Sequence, residues 1–422
     1  MRTMVCKKNI KVAYILHRFP YITETFIMRE MYWLRECNVD VTIFSLLSPV
    51  HKIVHDQAKE LLPVTHYSAF ISPKVIKAQF YFLLRSPVRY FKAFFNMIRQ
   101  TFREITVLLR VLLLFPKSVY FAQQIEKMGI EHIHAHFVWL EGIAAGIAKD
   151  LVGITFTIHP HAFGLFMRNQ KDVRAELQNA SGVVTISTYH TEYIANLCPK
   201  ISQNEIDIVH CGLEVDRYIP GPKQEQNGKA FRVVAVGDLR EKKGPEYLID
   251  ACALLAKRGY EFHCDFIGHG NLENKLQAQI DQLDLKENIT LCGAQPLPKV
   301  LQKLQESDIF ALPCVVAKDG DRDGIPNVLI EAMACELPVV TTPVAGIPDL
   351  VIHGETGMLA KERDAETLAD ALEKLIEDKA LRERLGKQGR EKVLDEFQIQ
   401  KSAEKLAGIY KKFINGNTTD AN

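Results

Sequence analysis

The chain has 422 residues, of which 52 are basic and 51 acidic, so its formal net charge is +1 at pH 7. Its composition, 47% hydrophobic and 24% charged, is typical of a packed globular protein and excludes a wholly disordered chain, a fibrous chain and a polytopic membrane protein. At roughly 100–200 residues per domain, the length favours two domains.

Short β-rich runs alternate with helical stretches along the chain, which is the pattern of α/β domains with parallel sheets. The strands predicted in the first half are Ile10–Leu16, Val39–Phe44, His132–His136, Thr155–Ile158, Val183–Ile186 and Ile206–Val209. Those predicted in the second half are Arg232–Val236, His263–Ile267, Ile289–Cys292, Ile309–Leu312 and Pro338–Thr341. Helices are expected between them, for example at Thr23–Glu36, Gly244–Arg258, Leu272–Leu283 and Ala365–Glu377.

These runs predict two doubly wound, Rossmann-like domains at residues 1–212 and 231–395, joined by a linker at 213–230. The stretch 219–230 reads IPGPKQEQNGKA, and its prolines, glycines and polar filler are typical of a connection. We expect a helix at 396–414 to cross back to the first domain and the tail after Asn415 to be disordered. Ligands of such sheets bind beyond the carboxyl ends of the strands, so a cleft between two facing domains is the expected site.

The charges are unevenly distributed in the first domain. Residues 74–117 hold nine basic side chains and one acid, a net +8, which leaves −7 for the rest of the chain. Aromatic residues are interleaved with these cations, as in a helix that lies in a membrane interface. We therefore expect residues 73–117 to be a basic aromatic helical insertion that binds an anionic membrane surface. The expected lipid contacts are Arg85, Arg89, Lys92 and Arg99.

Three prolines, Pro73, Pro87 and Pro116, are expected to cut this insertion into short amphipathic helices. Its apolar run Val107–Phe115 is far shorter than the roughly 20 residues that span a bilayer. The alternative is an ordinary helical insertion whose aromatics are buried and whose charges are solvated. RNA binding is less favoured, and we expect no nucleic-acid partner.

The cysteines and the N-terminus indicate the compartment. Nine cysteines are present and none stands in CxxC spacing, so neither a disulfide framework nor a zinc site is expected. The N-terminal sequence lacks the pattern of a secretory signal. We expect a cytoplasmic protein, peripheral on the inner face of the cytoplasmic membrane.

Histidines lie in or directly after two strands of the first domain. His132, His134 and His136 alternate along EHIHAHF, which places them on one face of a strand. Such a row invites a metal, and the alternative is a core strand. His159 and His161 follow the next strand in TIHPHAFGLF, and two histidines at a strand end favour a binding role.

The most informative block is DGDRDGIPNVLIEAMACELPVVTTPVAGIPDL, residues 319–350. A helix is predicted to start at about Pro326, where its free N–H groups would bind an anion. Gly324 would let the backbone approach a phosphate closely. Glu331, roughly 7 Å further along the helix, would accept hydrogen bonds from a ribose diol. Asp323 would lie nearer the diphosphate or the sugar.

Other residues of this block are expected to line the same site. They are Ile325, Asn327, and Gly346 and Ile347, whose N–H groups would bind phosphate or sugar. The acidic loop does not complete a calcium site, because Ile330 stands where the bidentate glutamate would be needed.

The block resembles the retaining glycosyltransferases of family 4, which have the GT-B architecture. Those enzymes carry two acids eight positions apart around a phrase like GIPNVLIEAMA, and here the acids are Asp323 and Glu331. The resemblance covers nearly the whole chain and is strongest over residues 231–360. The phrase RFPYITETFIMREM at 18–31 is similar to a branch that acts in exopolysaccharide and lipopolysaccharide assembly, of the colanic-acid type.

The resemblance assigns roles in the second domain. In VGDLREKKG, residues 236–244, Lys243 would clamp the donor diphosphate. The usual arginine is Asp238 here and Arg240 is its expected substitute, whereas Glu241 and Lys242 are expected to face solvent. The residues expected to border the nucleobase are Gly268, Gly270 and Leu272 in the turn GHGNLE, and Gly293 after the following strand.

In the first domain the resemblance makes His159 the residue that faces the donor across the cleft, with His161 as its rival. It favours a core strand over a metal site at His132–His136, with His136 at the edge of the cleft. It implies a hexosyltransferase that moves a sugar from a nucleotide-diphosphate donor to a saccharide acceptor, lipid-linked, in cell-surface polysaccharide assembly. Front-side attack, in which the leaving diphosphate takes the acceptor proton, would need no cofactor and no obligatory metal.

Two alternatives stay open. One is a GT-B sugar-nucleotide epimerase, which would convert the donor without an acceptor. The other is a non-catalytic membrane partner that senses nucleotide sugars. Asp238 and Asp323 motivate the second alternative, because both depart from the family pattern.

Overall fold

The computed structural model describes residues 9–21, 24–50, 56–221 and 230–419. It separates into two compact units, each built on a parallel sheet. The first takes the chain up to Ile186, His190–Gly212 and the chain from Ile399, and the second takes Ser187–Tyr189 and Leu213–Gln398. Part of the predicted linker, residues 222–229, lies outside the described residues.

The first unit contains a seven-stranded sheet in the order β3-β2-β1-β4-β5-β6-β7. Its strands are β1 Ile10–Arg18, β2 Val39–Leu47, β3 Thr65–His66, β4 His132–His136, β5 Thr155–His159, β6 Gly182–Thr185 and β7 Ile206–Ile208. The helices along this part of the chain are α1 Thr25–Leu34, α2 Asp56–Leu61, α3 Pro73–Arg85, α4 Pro87–Thr101, α5 Ile105–Met128, α6 Leu140–Val152, α7 Ala162–Phe166, α8 Gln170–Asn179 and α9 Thr188–Leu197.

The second unit contains a six-stranded sheet in the order β10-β9-β8-β11-β12-β13. Its strands are β8 Phe231–Val236, β9 Phe262–Ile267, β10 Ile289–Leu291, β11 Ile309–Leu312, β12 Val339–Thr341 and β13 Met358–Leu359. Its helices are α10 Pro245–Lys257, α11 Glu273–Gln282, α12 Leu297–Glu306, α13 Asn327–Ala334, α14 Ile347–Leu350, α15 Ala365–Glu377 and α16 Lys379–Glu396. The last helix, α17 Ile399–Thr419, belongs to the first unit.

All eleven predicted strands are confirmed, with ends displaced by at most three residues. The sequence prediction missed β3 and β13, which have two residues each and are too short to show any periodicity. Two parallel α/β sheets are therefore the architecture that the alternating pattern predicted.

Helix α5 departs from the prediction at Pro116, which lies inside the helix and does not end it. A proline removes one helical hydrogen bond and leaves the carbonyl four residues earlier without a partner. That carbonyl belongs to Leu112, which is 37% exposed and can bond to water. The Pro116 carbonyl accepts a hydrogen bond from Nε2 of Gln79 at 3.0 Å, which ties α5 to α3.

Pro73 and Pro87 begin α3 and α4, but because α5 continues to Met128, the expectation that Pro116 also cuts the insertion into short amphipathic helices is wrong. The helix has 24 residues and is long and apolar enough, by length and composition, to cross a membrane. Half of its most apolar 18-residue stretch is nevertheless buried inside the unit. Val111, Phe115 and Phe121 are among the core residues that it supplies.

Helix α17 is part of the core of the first unit. Ala403, Leu406 and Tyr410 are buried in the same cluster as Val12 of β1 and Met31 of α1. The helix extends to Thr419, so the expectation of disorder directly after Asn415 is wrong.

Candidate active site

The predicted donor residues of the second unit lie at one edge of its sheet. They follow the carboxyl ends of strands β8, β9, β10, β11 and β12. From β8 the sheet grows in one direction through β9 and β10, and then in the opposite direction through β11, β12 and β13. The strand order therefore reverses between β8 and β11. Ligands of open parallel sheets bind at such a switch point. A groove of about 100 Å³ at the opposite edge, lined by Leu304, Cys335 and Arg382, contains none of the predicted residues.

Lys243 and Asp323 form an ion pair at this edge. Nζ of Lys243 lies 2.6 Å from Oδ2 of Asp323, and both side chains are mostly buried. Burial alone would lower the pKa of Lys243, but the neighbouring groups, first among them the charge of Asp323, together outweigh burial and raise that pKa. Burial would likewise raise the pKa of Asp323, and Lys243 and Lys242 together lower it. Both groups are therefore charged at neutral pH.

Lys242 was missed by the sequence prediction, which placed it in solvent. Its Nζ lies 3.3 Å from Oδ1 of Asp323 and 3.1 Å from Oδ2 of Asp321. Glu241, also expected in solvent, accepts a hydrogen bond from the backbone N–H of Lys318 at 3.2 Å. The short helical turn Glu241–Lys243 turns both lysines toward the acidic loop, and the only sequence signal for this was the acidic character of that loop.

Arg240 is placed differently from Lys243. Its side chain is 60% exposed, and its Nε lies 3.7 Å from Oδ2 of Asp238, the residue in the usual arginine position. An exposed pair at this distance contributes little to stability. Arg240 is therefore held less closely than Lys243, which is mostly buried and lies 2.6 Å from its acidic partner.

Helix α13 begins one residue later than predicted. Pro326 is the residue before the helix, with ψ 123°, and Asn327 is the first helical residue. Gly324 and Pro326 are buried, whereas Ile325, Asn327 and Glu331 are half-buried. Glu331 lies in the second turn of α13, on the helix whose N-terminus follows the Asp323 loop.

The expectation that Gly346 and Ile347 offer free N–H groups is wrong for this structure. The N–H of Gly346 donates to the Gly324 carbonyl at 3.0 Å, and that of Ile347 donates to the Val344 carbonyl at 3.1 Å. The first bond holds the α14 turn against the Asp323 loop. The two N–H groups are therefore used in hydrogen bonds within the protein, which stabilise the loop.

The predicted nucleobase turn is a tightly packed pair of loops. A Cβ on Gly268 would lie 2.0 Å from the Gly237 carbonyl oxygen, and one on Gly270 would lie 2.1 Å from the Leu239 oxygen. The N–H of Leu272 donates to the same Leu239 oxygen at 3.1 Å, and Gly293 accepts from Gly268 at 3.0 Å. The glycines are thus required by the contact between the two turns, whatever the turns bind.

His136, His159 and His161 form a buried stack in the first unit. The His136 ring lies 5.0 Å from that of His159 and 5.3 Å from that of His161, and the His159 and His161 rings are 4.8 Å apart. Burial, followed by the neighbouring histidines, lowers the pKa of His159 and of His161 well below the usual range. Within the part of the chain described, neither ring nitrogen of His159 has a hydrogen-bond partner.

His134, His136 and His159 place one ring nitrogen each within 4.8 Å of the others, a spacing that a metal site could use. Both nitrogens of His136 are already bonded, Nε2 to Glu30 at 2.9 Å and Nδ1 to His161 at 3.0 Å. His134 bonds Thr157 through Nδ1 at 2.8 Å. These bonds favour a hydrogen-bonded core over a metal centre, because a metal would have to displace the Glu30 or the His161 contact.

Comparison with known proteins gives the family context. Residues 221–392 match the family described as glycosyl transferases group 1. The chain is 28% identical over 429 residues to the amylovoran biosynthesis glycosyltransferase AmsK of Erwinia amylovora. That alignment covers 96% of this chain and 100% of AmsK. It is 34% identical over 213 residues to the putative colanic acid biosynthesis glycosyltransferase WcaL of Escherichia coli. That alignment covers 50% of this chain and 52% of WcaL.

Solved structures extend the comparison to the fold. The complex of Anabaena Alr3699/HepE with UDP-glucose matches with a TM-score of 0.69 and 16% identity, covering 96% of this chain and 100% of that one. The apo form of the lipopolysaccharide outer core galactosyltransferase WaaB matches with a TM-score of 0.68 and 18% identity, covering 96% of this chain and 100% of that one. At these identities the likeness shows the fold alone, and that fold is GT-B.

Proposed function

We propose that this chain, whose residues 221–392 form a glycosyl transferases group 1 domain on a GT-B fold, transfers a hexose from a nucleotide-diphosphate sugar with retention of configuration. The acceptor is a saccharide, lipid-linked, in cell-surface polysaccharide assembly. The similarity to AmsK and WcaL, both named as polysaccharide biosynthesis glycosyltransferases, supports this acceptor class. The complex of HepE with UDP-glucose supports the donor class.

The observation that carries the proposal is the charged pair Lys243–Asp323 at the switch point of the second sheet, beside the start of α13. An incoming diphosphate would compete with Asp323 for Lys243, and Lys242 would keep Asp323 compensated. A positioned ammonium next to a helix N-terminus stabilises the negative charge of a leaving diphosphate. We infer front-side attack from the resemblance to family 4, with that leaving group as the base and without an obligatory metal.

We also propose a peripheral position on the cytoplasmic face of the membrane. Thirteen of the twenty-one large hydrophobic side chains that are exposed in the described residues lie between residues 70 and 113. They are Phe70, Ile71, Ile76, Phe80, Leu84, Val88, Phe91, Phe95, Phe102, Ile105, Leu109, Leu112 and Leu113. On α3, α4 and α5 they recur every three or four residues, so each helix presents one apolar stripe outward.

The stripes are accompanied by exposed cations, which makes an anionic bilayer a better occupant than a second copy of this near-neutral chain. Arg89 and Arg99, two of the predicted lipid contacts, are exposed. Arg85 and Lys92 are exposed too, but they lie 3.3 Å from Glu126 and 3.2 Å from Asp150. Part of the +8 of this segment is therefore neutralised by acids from neighbouring helices.

The test of the activity is turnover by the purified protein across UDP-, GDP- and ADP-sugars, with and without a lipid-linked saccharide. Lys243→Ala and Glu331→Gln should each lower turnover by about 100-fold or more. Lys275→Ala is the matched control, since Lys275 forms an exposed pair with Glu246 in the same unit and should keep full activity. Unchanged turnover in both site variants would refute the site. Donor conversion that needs no acceptor would favour the epimerase instead.

A further inference from the structure

The first sheet has a switch point of its own, between β1 and β4. From β1 the sheet grows in one direction through β2 and β3, and in the opposite direction through β4 to β7. The two strands are parallel and paired as far as Ile15 and Ala135, so both leave the sheet at the same edge. Ligands of open parallel sheets bind at such a point. The first unit therefore offers a binding position to which none of the donor residues of the second unit belongs.

Glu24 lies between the end of β1 and the start of α1, in the phrase RFPYITETFIMREM, to which the donor site gives no role. It is the residue before α1, and its side chain makes no capping hydrogen bond. Glu24 is half-buried, and among the described residues no cation or hydrogen-bond donor pairs with its carboxyl group. Burial raises the pKa of Glu24 to about 7. Glu24 is thus an acid that a ligand can reach and that the protein itself leaves without a partner.

A second acid, Glu141, lies in the first turn of α6, on the β4 side of the same edge. It is only 2% exposed, and its Oε2 has no hydrogen-bond partner in the part of the chain described. Burial raises the pKa of Glu141 well above its usual range, the charge of Glu24 adds to this, and the backbone N–H groups of Glu141 and His17 offset it only in part. Glu141 therefore keeps its proton at neutral pH, and Glu24 is the acid of the two that can be ionised. A buried polar atom without a partner is uncommon and points to a functional role.

The charges around the two acids select the kind of ligand. Burial, followed by the charges of Arg18 and Arg110, lowers the pKa of His17, which lies in the last part of β1. Cations near enough to act on His17 disfavour a metal ion or another cationic ligand at this edge, and the two acids disfavour an anion. A neutral hydroxyl group, which donates one hydrogen bond to a carboxyl oxygen, satisfies both conditions.

Aromatic side chains and the apolar stripe of α5 meet at this edge. The ring of Trp139, which follows β4, lies 5.8 Å from the ring of Phe163, and Phe163 is 54% exposed. The guanidinium of Arg110 on α5 lies 5.8 Å from the Trp139 ring. Leu109 and Leu113, close to Arg110 on the same helix, are exposed members of the stripe. Aromatic rings beside a few polar groups are typical of ligand sites, and this one lies next to the helix that we place on the membrane.

We propose that Glu24 is a specificity-determining residue of the acceptor site, whose carboxyl group accepts a hydrogen bond from a hydroxyl group of the acceptor saccharide at the switch point of the first sheet. This inference rests on the proposed function for the presence of a saccharide acceptor. The position of the two acids and their lack of partners are properties of the free protein.

The first test is steady-state kinetics with the lipid-linked saccharide that supports turnover. Glu24→Ala should raise the KM for this acceptor by about 10- to 100-fold and leave the KM for the nucleotide sugar unchanged, because one hydrogen bond to the acceptor is lost. Glu24→Gln should raise it less, since its amide oxygen still accepts. Neither change removes a helix cap, so both variants should fold. An unchanged acceptor KM in Glu24→Ala, or an equal rise in the donor KM, would overturn the inference.

Glu131→Gln is the matched control. Glu131 lies at the opposite edge of the same two strands, where its Oε2 accepts a hydrogen bond from the backbone N–H of Lys11 at 2.9 Å. The amide oxygen of glutamine can accept the same bond, so both KM values should stay at the wild-type level. A rise in the acceptor KM as large as that of Glu24→Gln would show that the effect is not specific to the switch point and would overturn the inference.

Monodeoxy analogues of the acceptor identify the hydroxyl group that Glu24 binds. One analogue should have a KM about 10-fold above that of the parent acceptor with the wild type, and the same KM as the parent with Glu24→Ala. Once one partner of a hydrogen bond is gone, removal of the other costs little more. If every analogue loses as much with the variant as with the wild type, Glu24 touches no hydroxyl and the inference fails.

A binding measurement separates this inference from the proposed function. ¹³C NMR of the whole protein observes the side-chain carboxyl carbon of Glu24, identified by its absence in Glu24→Ala. Methyl hexosides should shift this signal and leave that of Glu131 unchanged. A lack of turnover with every nucleotide sugar would overturn the proposed function, and the hexoside titration would then decide the inference alone. A shift of the Glu24 signal would support it, and no shift would overturn it.

Discussion

At the scale of single residues, the buried histidines make the first unit sensitive to acid. His132 bonds the hydroxyls of Thr155 and Thr157 at 2.8 and 2.9 Å, and burial lowers its pKa to about 3. The unfolded chain, with a histidine pKa of about 6.5, binds a proton at pH values below 6.5 at which His132 of the folded state stays unprotonated. The stability from this residue is therefore complete above pH 6.5 and is lost as the pH falls toward 3.

We expect the wild type to lose about 2 kcal/mol more than His132→Asn between pH 7 and pH 5, from the linkage of one such proton. Urea unfolding of both proteins at the two pH values measures the difference. Glu24 and Glu176, whose pKa values burial raises to about 7, titrate with the opposite sign but are common to both proteins and cancel. Parallel losses in the two proteins would show that His132 takes up its proton in the folded state.

Lys243 is the basis of a second prediction at this scale. Two lysines and the start of α13 supply positive charge at the switch point, which is what a metal would otherwise provide to a diphosphate. We expect turnover to be unchanged after dialysis against a chelator and unchanged again when Mg²⁺ or Mn²⁺ is added. A loss that one of these ions restores would contradict metal-independent transfer.

Residue types and spacing predicted part of this site, and the limits have physical causes. Lys243 and Asp323, each predicted from a recognisable phrase after a strand end, do lie together, and Glu331 lies in the helix that follows Asp323. Lys242 was missed because sequence alone does not tell which side of a short helical turn faces an acidic loop. The hydrogen bonds between Tyr410 and Tyr14 and between Tyr14 and Glu30 join residues far apart in the chain, and no local pattern signals them.

At the scale of secondary-structure elements, periodicity predicted the strands well and the helix ends less well. Pro116 was expected to end a helix. The Leu112 carbonyl, which loses its helical hydrogen bond to the proline, belongs to a partly exposed residue and can bond to water, so the loss costs little. Pro326 was expected inside α13 and lies one residue before it, which is within the usual uncertainty of helix ends. In both cases the tertiary surroundings, and not the proline alone, determine where the helix begins or ends.

Helix α17 carries a prediction of its own. Removing the last 20 residues would delete Ala403, Leu406 and Tyr410, which are fully buried in the core of the first unit. Loss of an aromatic core residue alone costs about 3–5 kcal/mol, so the truncated protein should be unfolded or insoluble. Deleting only residues 420–422 is the control. Circular dichroism melting of the two proteins tests this, and a folded, active 402-residue protein would contradict the role of α17 in the core.

At the scale of the whole molecule, the near-zero net charge conceals a basic segment and, next to it, a larger apolar surface. Each cation near an anionic leaflet contributes about 1 kcal/mol, and Arg85 and Lys92 contribute less because acids of the protein pair with them. A phenylalanine that moves from water into the membrane contributes about 1.5–3 kcal/mol. With thirteen exposed apolar side chains, insertion should outweigh charge.

We therefore expect the protein to float with anionic vesicles at physiological salt and to stay bound in part at high salt, where charge attraction is screened. Phe91→Ser combined with Phe95→Ser should weaken binding by about 100-fold or more, from two lost insertions. Arg89→Gln combined with Arg99→Gln, which removes from the same helix two cations that no acid of the described residues pairs with, should cost about 30-fold and only at low salt. The reverse ranking would show that charge dominates. Vesicle-free dimers that the Phe double variant dissociates would show that the stripes bind a second copy of the chain.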